Sequence, residues 1–459
     1  MNVAEQIVAQ LVDAGVHRIY GIVGDSLNPI VDAVRKTGGS TKGGIDWIHV
    51  RHEEAAAFAA SAEAQLTGKL AVCAGSCGPG NLHLINGLYD ANRTGAPVLA
   101  IASHIPSVQI GSTYFQETHP DRVFEECSVY NELISSAAQS PRTVNSAIRH
   151  AVGLGGVAVI TLPGDITDLK AVEHVPTYAP ARPATLAPNP ADIDEAAALL
   201  NKADKVAIFA GAGVEGAHDE VIALADALKA PIGHSLRGKH FIQYDNPFDV
   251  GMTGLLGYGA AAEGMNDADV LILLGTDFPY DQFLPDTPTI QVDTHAEKLG
   301  RRTDVGLAIH AQVKPFIEAL LPHLRAGRSD SFLKAKIKKH SEIMHAPVGA
   351  YTRNVEKMRP IHPEYAAHLL NETAAKDAIV TADTGMCNVW TARYIDPLGT
   401  RRIIGSLLHG SMANALPMAL GAQVAYPGRQ VVSVSGDGGL SMLLGELITA
   451  TMYDLPVKV

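Results

Sequence analysis

The chain has 459 residues, 47% of them hydrophobic, with a formal net charge of −12 and four cysteines. Such a length allows about three domains of ordinary size. The acidic balance argues against a nucleic-acid partner, because only Lys334–Lys339 (KAKIKK) is densely basic, and that run reads as a solvated helix face. So few cysteines, with no signal peptide in Met1–Tyr20, fit a reducing cytoplasm, and no apolar run reaches the ~18 residues of a membrane span.

Val3–Ala14 has helical spacing and ends at Gly15, and Ile19–Val23 then reads as a strand closing on Gly24-Asp25. Trp47–Val50 is a second strand, which delivers Arg51-His52-Glu53-Glu54 to the start of a helix over Ala55–Leu66. Leu70–Ala74 is a third, followed by the glycine-rich loop Gly75–Gly80 and a helix from Leu82; Val98–Ala102 and Val157–Leu162 add two more. Cys73 and Cys77 read as small core residues. Strands alternating with helices predict a parallel sheet covered on both faces.

Leu169–Pro188 carries Pro176, Pro180, Pro183 and Pro188 and reads as a linker. A second α/β unit follows, with a helix over Ile193–Leu200, a strand over Lys205–Ala210 and the GxGxxG pattern of Gly211, Gly213 and Gly216. That pattern is weak alone, because the acidic residue expected about 20 positions on is missing. A nucleotide reading gains from further loops that could line one crevice: His234–Lys239, Gly251–Gly257, Gly275–Tyr280 after the strand Val270–Leu274, and Gln291–Thr294. Phe332–Arg359 is a charged helical linker ending at Pro360, and a third α/β unit begins at His362. It holds strands at Ala378–Thr381 and Arg402–Gly405, then His409-Gly410-Ser411-Met412 ahead of an apolar helix running to Val424.

The last segment, Val431–Leu440 (VVSVSGDGGL), is a strand running into Gly436-Asp437-Gly438-Gly439 and then a helical stretch over Ser441–Tyr453. GDGG is ordinary turn chemistry taken alone. A carboxylate at a strand end beside helix N–H donors is also a site for a Mg²⁺-bridged diphosphate, with Asp437 as the metal ligand.

Several longer stretches point further: RHEEAAAFAASAEA from Arg51, AVCAGSCGPGNLHLINGLYDANRTGAPVLAIA from Ala71, GSTYFQETHP from Gly111, and HGSMANALP from His409. Together with the central loops they resemble, over essentially the whole chain, the thiamine-diphosphate (ThDP)- and FAD-dependent pyruvate oxidases, the pyruvate:quinone oxidoreductases. The resemblance implies that Glu53 hydrogen-bonds N1′ of the aminopyrimidine and drives its proton transfers. It implies that Phe115 and Gln116 face the reacting carbons, although core packing explains Phe115 equally well. Gly410, Ser411 and Met412 would grip the pyrimidine, and Asp437, Gly438 and Gly439 the Mg²⁺-diphosphate end. Arg237, Gly254-Leu255-Leu256-Gly257, Asp277-Phe278-Pro279-Tyr280-Asp281 and Asp293-Thr294 would contact FAD.

The implied architecture is α/β, three consecutive doubly wound parallel-sheet domains: pyrimidine-binding over 1–170, FAD-binding over 190–330 and diphosphate-binding over 362–459, with linkers 171–189 and 331–361. The implied activity is oxidative decarboxylation of pyruvate to acetate and CO₂, with electrons passed through FAD to a quinone. A homodimer or homotetramer is implied in which Glu53 and Asp437 meet between subunits, as is peripheral contact of the full-length protein with the inner face of the cell membrane. The alternatives are an acetohydroxyacid synthase-type carboligase, where flavin is structural, and an inactive cofactor-binding scaffold. The family's closing Asn pair has no counterpart before Val459. That leads to the expectation that the C-terminal part of the pattern is missing, with disorder around Gly436–Val459 and weak ThDP binding.

Overall fold

The computed structural model describes residues 1–173, 179 and 184–459. Pro176, Pro180 and Pro183 of the expected linker lie outside the described residues. The chain forms two compact units. The first gathers the N-terminal described residues with Ile379–Cys387 and Ile404–Val459, and the second gathers residue 184 to Ala378 with Asn388–Ile403.

In the first unit a six-stranded sheet runs in the order Asp46–His49, Arg18–Gly21, Ala71–Gly75, Val98–His104, Val157–Pro163, Tyr130–Leu133. Every pairing in it is parallel, and the Val98–His104 and Val157–Pro163 strands are buried throughout, as expected of a sheet covered on both faces. The strand at Tyr130–Leu133 is absent from the sequence reading, because its burial is partial and its polar residues break the apolar run.

The helix Glu53–Thr67 is the packing centre of this unit. Its alanine-rich sequence favours helix strongly, His52 caps it by accepting the Glu54 N–H at 3.2 Å, and Gly68 ends it at φ 66°. With small side chains on most of its surface, it lets two other helices approach closely. A Cβ on Gly87, in the helix Pro79–Thr94, would lie 2.5 Å from the Ala57 methyl and 2.9 Å from the Phe58 nitrogen. A Cβ on Gly421, in the helix Ala415–Ala425, would run onto the Ala59 carbonyl oxygen and sit 2.8 Å from the Ala59 Cα. Phe58 fills the remaining space against Ala62, Ile404 and Met418, and burying such a side chain stabilises by about 1.5–3 kcal/mol. Glu63 anchors the far end, taking Arg18 Nη1 at 2.5 Å and the Tyr20 hydroxyl at 2.6 Å.

A short sheet in the order Arg402–Gly405, Ile379–Ala382, Val431–Val434 completes the C-terminal part. The disorder expected around Gly436–Val459 is not found. Helices form at Asp437–Met442 and Glu446–Met452, in place of the single one expected over Ser441–Tyr453. The end of the chain then pairs with the Val431–Val434 strand, through Lys458 N to Val431 O at 2.9 Å and Ser433 N to Lys458 O at 2.7 Å.

The second unit holds a seven-stranded sheet in the order Tyr258–Gly259, Asp249–Met252, Ile232–His234, Val206–Ala210, Val270–Leu274, Thr289–Asp293, Leu307–His310. It is parallel except for its first pair, which is antiparallel. The helical pattern after Phe332 holds over Ser331–Ile343. Its basic run is solvated except at Lys336, which is 5% exposed and pairs with Glu263 at 2.6 Å and Asp267 at 2.5 Å. Lys336 falls on the apolar side of the helix with Leu333, where its stem is covered and two carboxylates offset the desolvated charge.

Gly421→Ala should cost about 3 kcal/mol, since both contacting groups are backbone and cannot swing aside. Gly428→Ala, where a Cβ meets nothing within 4 Å, should stay within about 0.5 kcal/mol of the parent. Urea midpoints of the two variants check the difference.

Candidate functional site

Glu53 is the first residue of its helix and is only 6% exposed. A carboxylate there is favoured by the helix dipole. Its Oε2 lies 2.9 Å from His83 Nδ1, and the His83 ring stacks on His52 with centroids 4.4 Å apart. The loop Gly75–Gly80, held by Ser26 through Ser76, Ser103 and the Cys77 N–H, brings the second helix to this point. A Cβ on Gly80 would sit 3.0 Å from Glu53 Oε1, so glycine keeps that side of the carboxyl clear.

The same loop meets Gln116, whose backbone is left-handed at φ 63°. Gly78 packs on its backbone, and Cys77 Sγ lies 3.3 Å from Gln116 Oε1. Phe115 beside it is 79% exposed, which rules out core packing. Cys73 and Cys77 are buried as expected, and burial pushes the Cys73 thiol far up.

One turn beyond His83, on the same helix face, Asn86 joins the N-terminal and C-terminal parts of this unit. Its Nδ2 donates to Glu54 Oε1 at 2.6 Å and Ser411 Oγ at 2.7 Å, and its Oδ1 is 2.8 Å from His409 Nε2. These contacts form within one chain. Glu446 is a second tie. Its buried Oε1 accepts the backbone N–H groups of Arg51 at 2.8 Å and His52 at 3.0 Å, and burial raises its pKa despite those bonds. Tyr453 adds a third, accepting from His49 N at 2.7 Å and donating to Trp47 O at 3.1 Å.

The Gly410–Met412 segment is fixed by Asn414, which donates to Ser411 O at 2.7 Å and Asp383 Oδ1 at 3.1 Å and accepts from Ser406 N at 3.1 Å. Gly410 is left-handed at φ 75° with open space where a Cβ would be. Met412 is 43% exposed rather than part of a core, and its Cε lies 3.2 Å from where a Gly438 Cβ would stand. Asp437 is exposed at the N-terminus of its short helix. Behind it lies Asp383, buried, with Oδ1 bonded to Thr384 N and Asn414. Its Oδ2 has no hydrogen-bond partner among the described residues, points where a Cβ on Gly439 would clash, and its pKa is raised by burial.

Sequence reasoning named Glu53, Gln116, Ser411 and Met412 but not His83, Asn86, Asp383, Asn414 or Glu446. The i,i+3 spacing of His83 and Asn86 after a glycine loop was a usable signal. Glu446 offered none, because its partners are backbone groups far away in sequence.

The central loops sit in the second unit, at the carboxyl ends of its parallel strands. The strand order turns back between Val206–Ala210 and Val270–Leu274, and the crevice at such a switch point is where open α/β sheets bind ligands. Two of the three GxGxxG glycines serve backbone crossing: a Cβ on Gly213 would lie 2.6 Å from Gly275 Cα, and Gly213 N donates to Gly275 O at 2.9 Å. Gly254, at φ 96°, abuts Phe278, which packs edge-on against Tyr280, while Leu255 is 63% exposed and Leu256 and Gly257 are half-buried. Asp277 pairs with Arg301 and Arg302; Pro279 and Asp281 are exposed. Asp293 accepts the His295 N–H at 2.9 Å beside an exposed Thr294, and Arg237 is half-buried in the Leu236–Ile242 helix.

Three family patterns match the chain: thiamine pyrophosphate enzyme, N-terminal TPP binding domain, over residues 1–123; central domain over 193–320; and C-terminal TPP binding domain over 383–459. The chain is 37% identical to the putative thiamine pyrophosphate-containing protein YdaP of Bacillus subtilis over 460 residues, 99% of this chain and 79% of that protein. It is 32% identical to pyruvate oxidase of Lactiplantibacillus plantarum over 457 residues, 96% of this chain and 74% of that protein. It is 30% identical to acetolactate synthase isozyme 2 large subunit of Escherichia coli over 475 residues, all of this chain and 82% of that protein. With the C-terminal binding-domain pattern matched over 383–459, the expectation that this part of the family pattern is missing is not borne out. The chain belongs to the thiamine pyrophosphate enzymes.

Proposed function

We propose that this enzyme decarboxylates pyruvate oxidatively to acetate and CO₂, passing electrons through FAD to a quinone, with Mg²⁺ holding the diphosphate of ThDP. The observation that carries the reading is the buried Glu53 carboxyl, bonded to His83 on one side and kept clear by Gly80 on the other, in the same unit as the Gly410–Met412 segment. The three-domain division given above is part of the proposal, as is assembly into a dimer or tetramer.

The residues present fit ThDP. Gly410 leaves open space, Gly80 puts no side chain against the Glu53 carboxyl, Asp437 stands exposed at a helix N-terminus, and Asp383 offers a buried oxygen without a partner among the described residues. When bound, ThDP supplies the electron sink on which a 2-oxoacid loses CO₂, and FAD supplies the two-electron acceptor. Glu53 holds and exchanges a proton at the pyrimidine ring, and His83 keeps its carboxyl oriented. Met412 and Ser411 would hold the pyrimidine end, Asp437 would contribute a carboxylate to Mg²⁺, and Phe115 and Gln116 would border the substrate. In the second unit, Gly254–Gly257, Asp277–Asp281, Asp293-Thr294 and Arg237 would hold the flavin.

A second reading, carboligation of two 2-oxoacids, is supported by the similarity to acetolactate synthase. Pyruvate incubated with ThDP, Mg²⁺, FAD and a quinone analogue separates the two, since the first reading requires acetate and a reduced quinone, the second acetolactate. No helix among the described residues is long and apolar enough to cross a membrane.

Glu53→Gln should keep the fold and the flavin but lower kcat by at least about 100-fold, the usual range for a lost general acid-base group; near-normal turnover would remove Glu53 from the mechanism. Purified protein supplied with FAD should retain it through gel filtration with a flavin absorption spectrum. A colourless protein would count against the flavin assignment of the central loops.

A further inference from the structure

His52, Glu53 and His83 form the one group of three metal-ligating side chains found among the described residues, each offering a ligand atom within 4.8 Å of the others. We propose that this trio is a binding site for a borderline divalent transition metal, with Zn²⁺ as the probe, separate from the Mg²⁺ expected at Asp437. Two imidazoles and one carboxylate are the donor set such ions prefer, and they are poor ligands for Mg²⁺. Three protein ligands would leave a fourth position for water.

The geometry needs a small adjustment. Tetrahedral Zn²⁺ with bonds of about 2.0–2.1 Å sets its ligand atoms roughly 3.4 Å apart. Glu53 Oε2 and His83 Nδ1, at 2.9 Å, already share whatever proton lies between them, and a metal ion would replace that proton. The remaining closure falls to the two histidines, whose side chains are partly exposed and free to shift, whereas Glu53 is fixed by burial. Glu54 adds a second negative charge nearby, its carboxylate 3.9 Å from His52 Nδ1 and held by Asn86, while His52 Nδ1 accepts the Glu54 N–H and leaves Nε2 for the metal. Together, Glu53 and Glu54 outweigh the partial positive charge of the helix start.

Occupation of the trio would take away the carboxyl that acts on the pyrimidine, so Zn²⁺ should inhibit in competition with ThDP; this consequence rests on the proposed role of Glu53, while binding itself does not. The test starts from chelator-treated full-length protein, titrated with Zn²⁺ against a chromophoric chelator. One tight equivalent is expected, undisturbed by excess Mg²⁺, with affinity falling by more than about 100-fold in a His52→Asn, His83→Gln double variant. Asn at position 52 retains a helix-capping oxygen, and circular dichroism verifies that the variant is folded. Equal binding by the parent and the folded double variant would overturn the site. Inhibition reversed by chelator and relieved by added ThDP would support the coupling to catalysis. Tight binding with undiminished turnover would keep the metal site and overturn the role given to Glu53.

Discussion

The approach of two helices onto the backbone of a third is the constraint on which the first unit depends. Glu53–Thr67 could not touch both neighbours at this distance if Gly87 or Gly421 carried a side chain. Close packing has two effects that cannot be separated. It excludes water from the helix, leaving Ala55–Ala60 buried, and it brings Asn86 of one neighbour within reach of Ser411. The site is therefore a by-product of helix packing: its polar residues lie at the N-terminal end of a bundle whose interior is almost wholly small and apolar.

Around that end, polar groups are satisfied by groups far away in sequence. Glu446 accepts from Arg51 and His52, Tyr453 bonds to His49 and Trp47, and Asn86 reaches Ser411 and His409. Leaving any of these buried groups unpaired would cost about 1–3 kcal/mol, so they set the register between segments more than they add stability. Asp383 leaves one buried oxygen open, and His409 Nδ1 and Trp47 Nε1 are also without partners among the described residues. A buried carboxylate oxygen left open marks where a further polar or cationic group belongs.

Much of this was legible in the sequence. The parallel strands announced themselves as short β-branched runs followed by glycine loops, whereas Glu53 stood out only through the family resemblance carried by RHEEAAAFAASAEA. What escaped notice had weak local signals. The Tyr130–Leu133 strand reads polar, and Thr289–Asp293 reads in part as a loop because Gln291 and Asp293 point to caps and turns rather than a buried ladder. The burial of Lys336 depends on carboxylates at Glu263 and Asp267, which no local pattern reveals. His83 lay in a stretch already quoted, but its pairing with Glu53 is a property of two helices meeting and not of either alone.

The tie from Glu446 to Arg51 spans 395 positions. At synthesis rates of about 5–20 residues per second, roughly 20–80 s separate the appearance of its two ends. Throughout that interval the segment before Glu53 has its sheet and its helix but lacks the carboxylate that accepts the Arg51 and His52 N–H groups. Long-range contacts of this kind slow folding and extend the life of partly formed states. The nascent chain thus keeps the turn ahead of Glu53 unfastened until the helix Glu446–Met452 is made and docks, so this end of the unit closes late in folding.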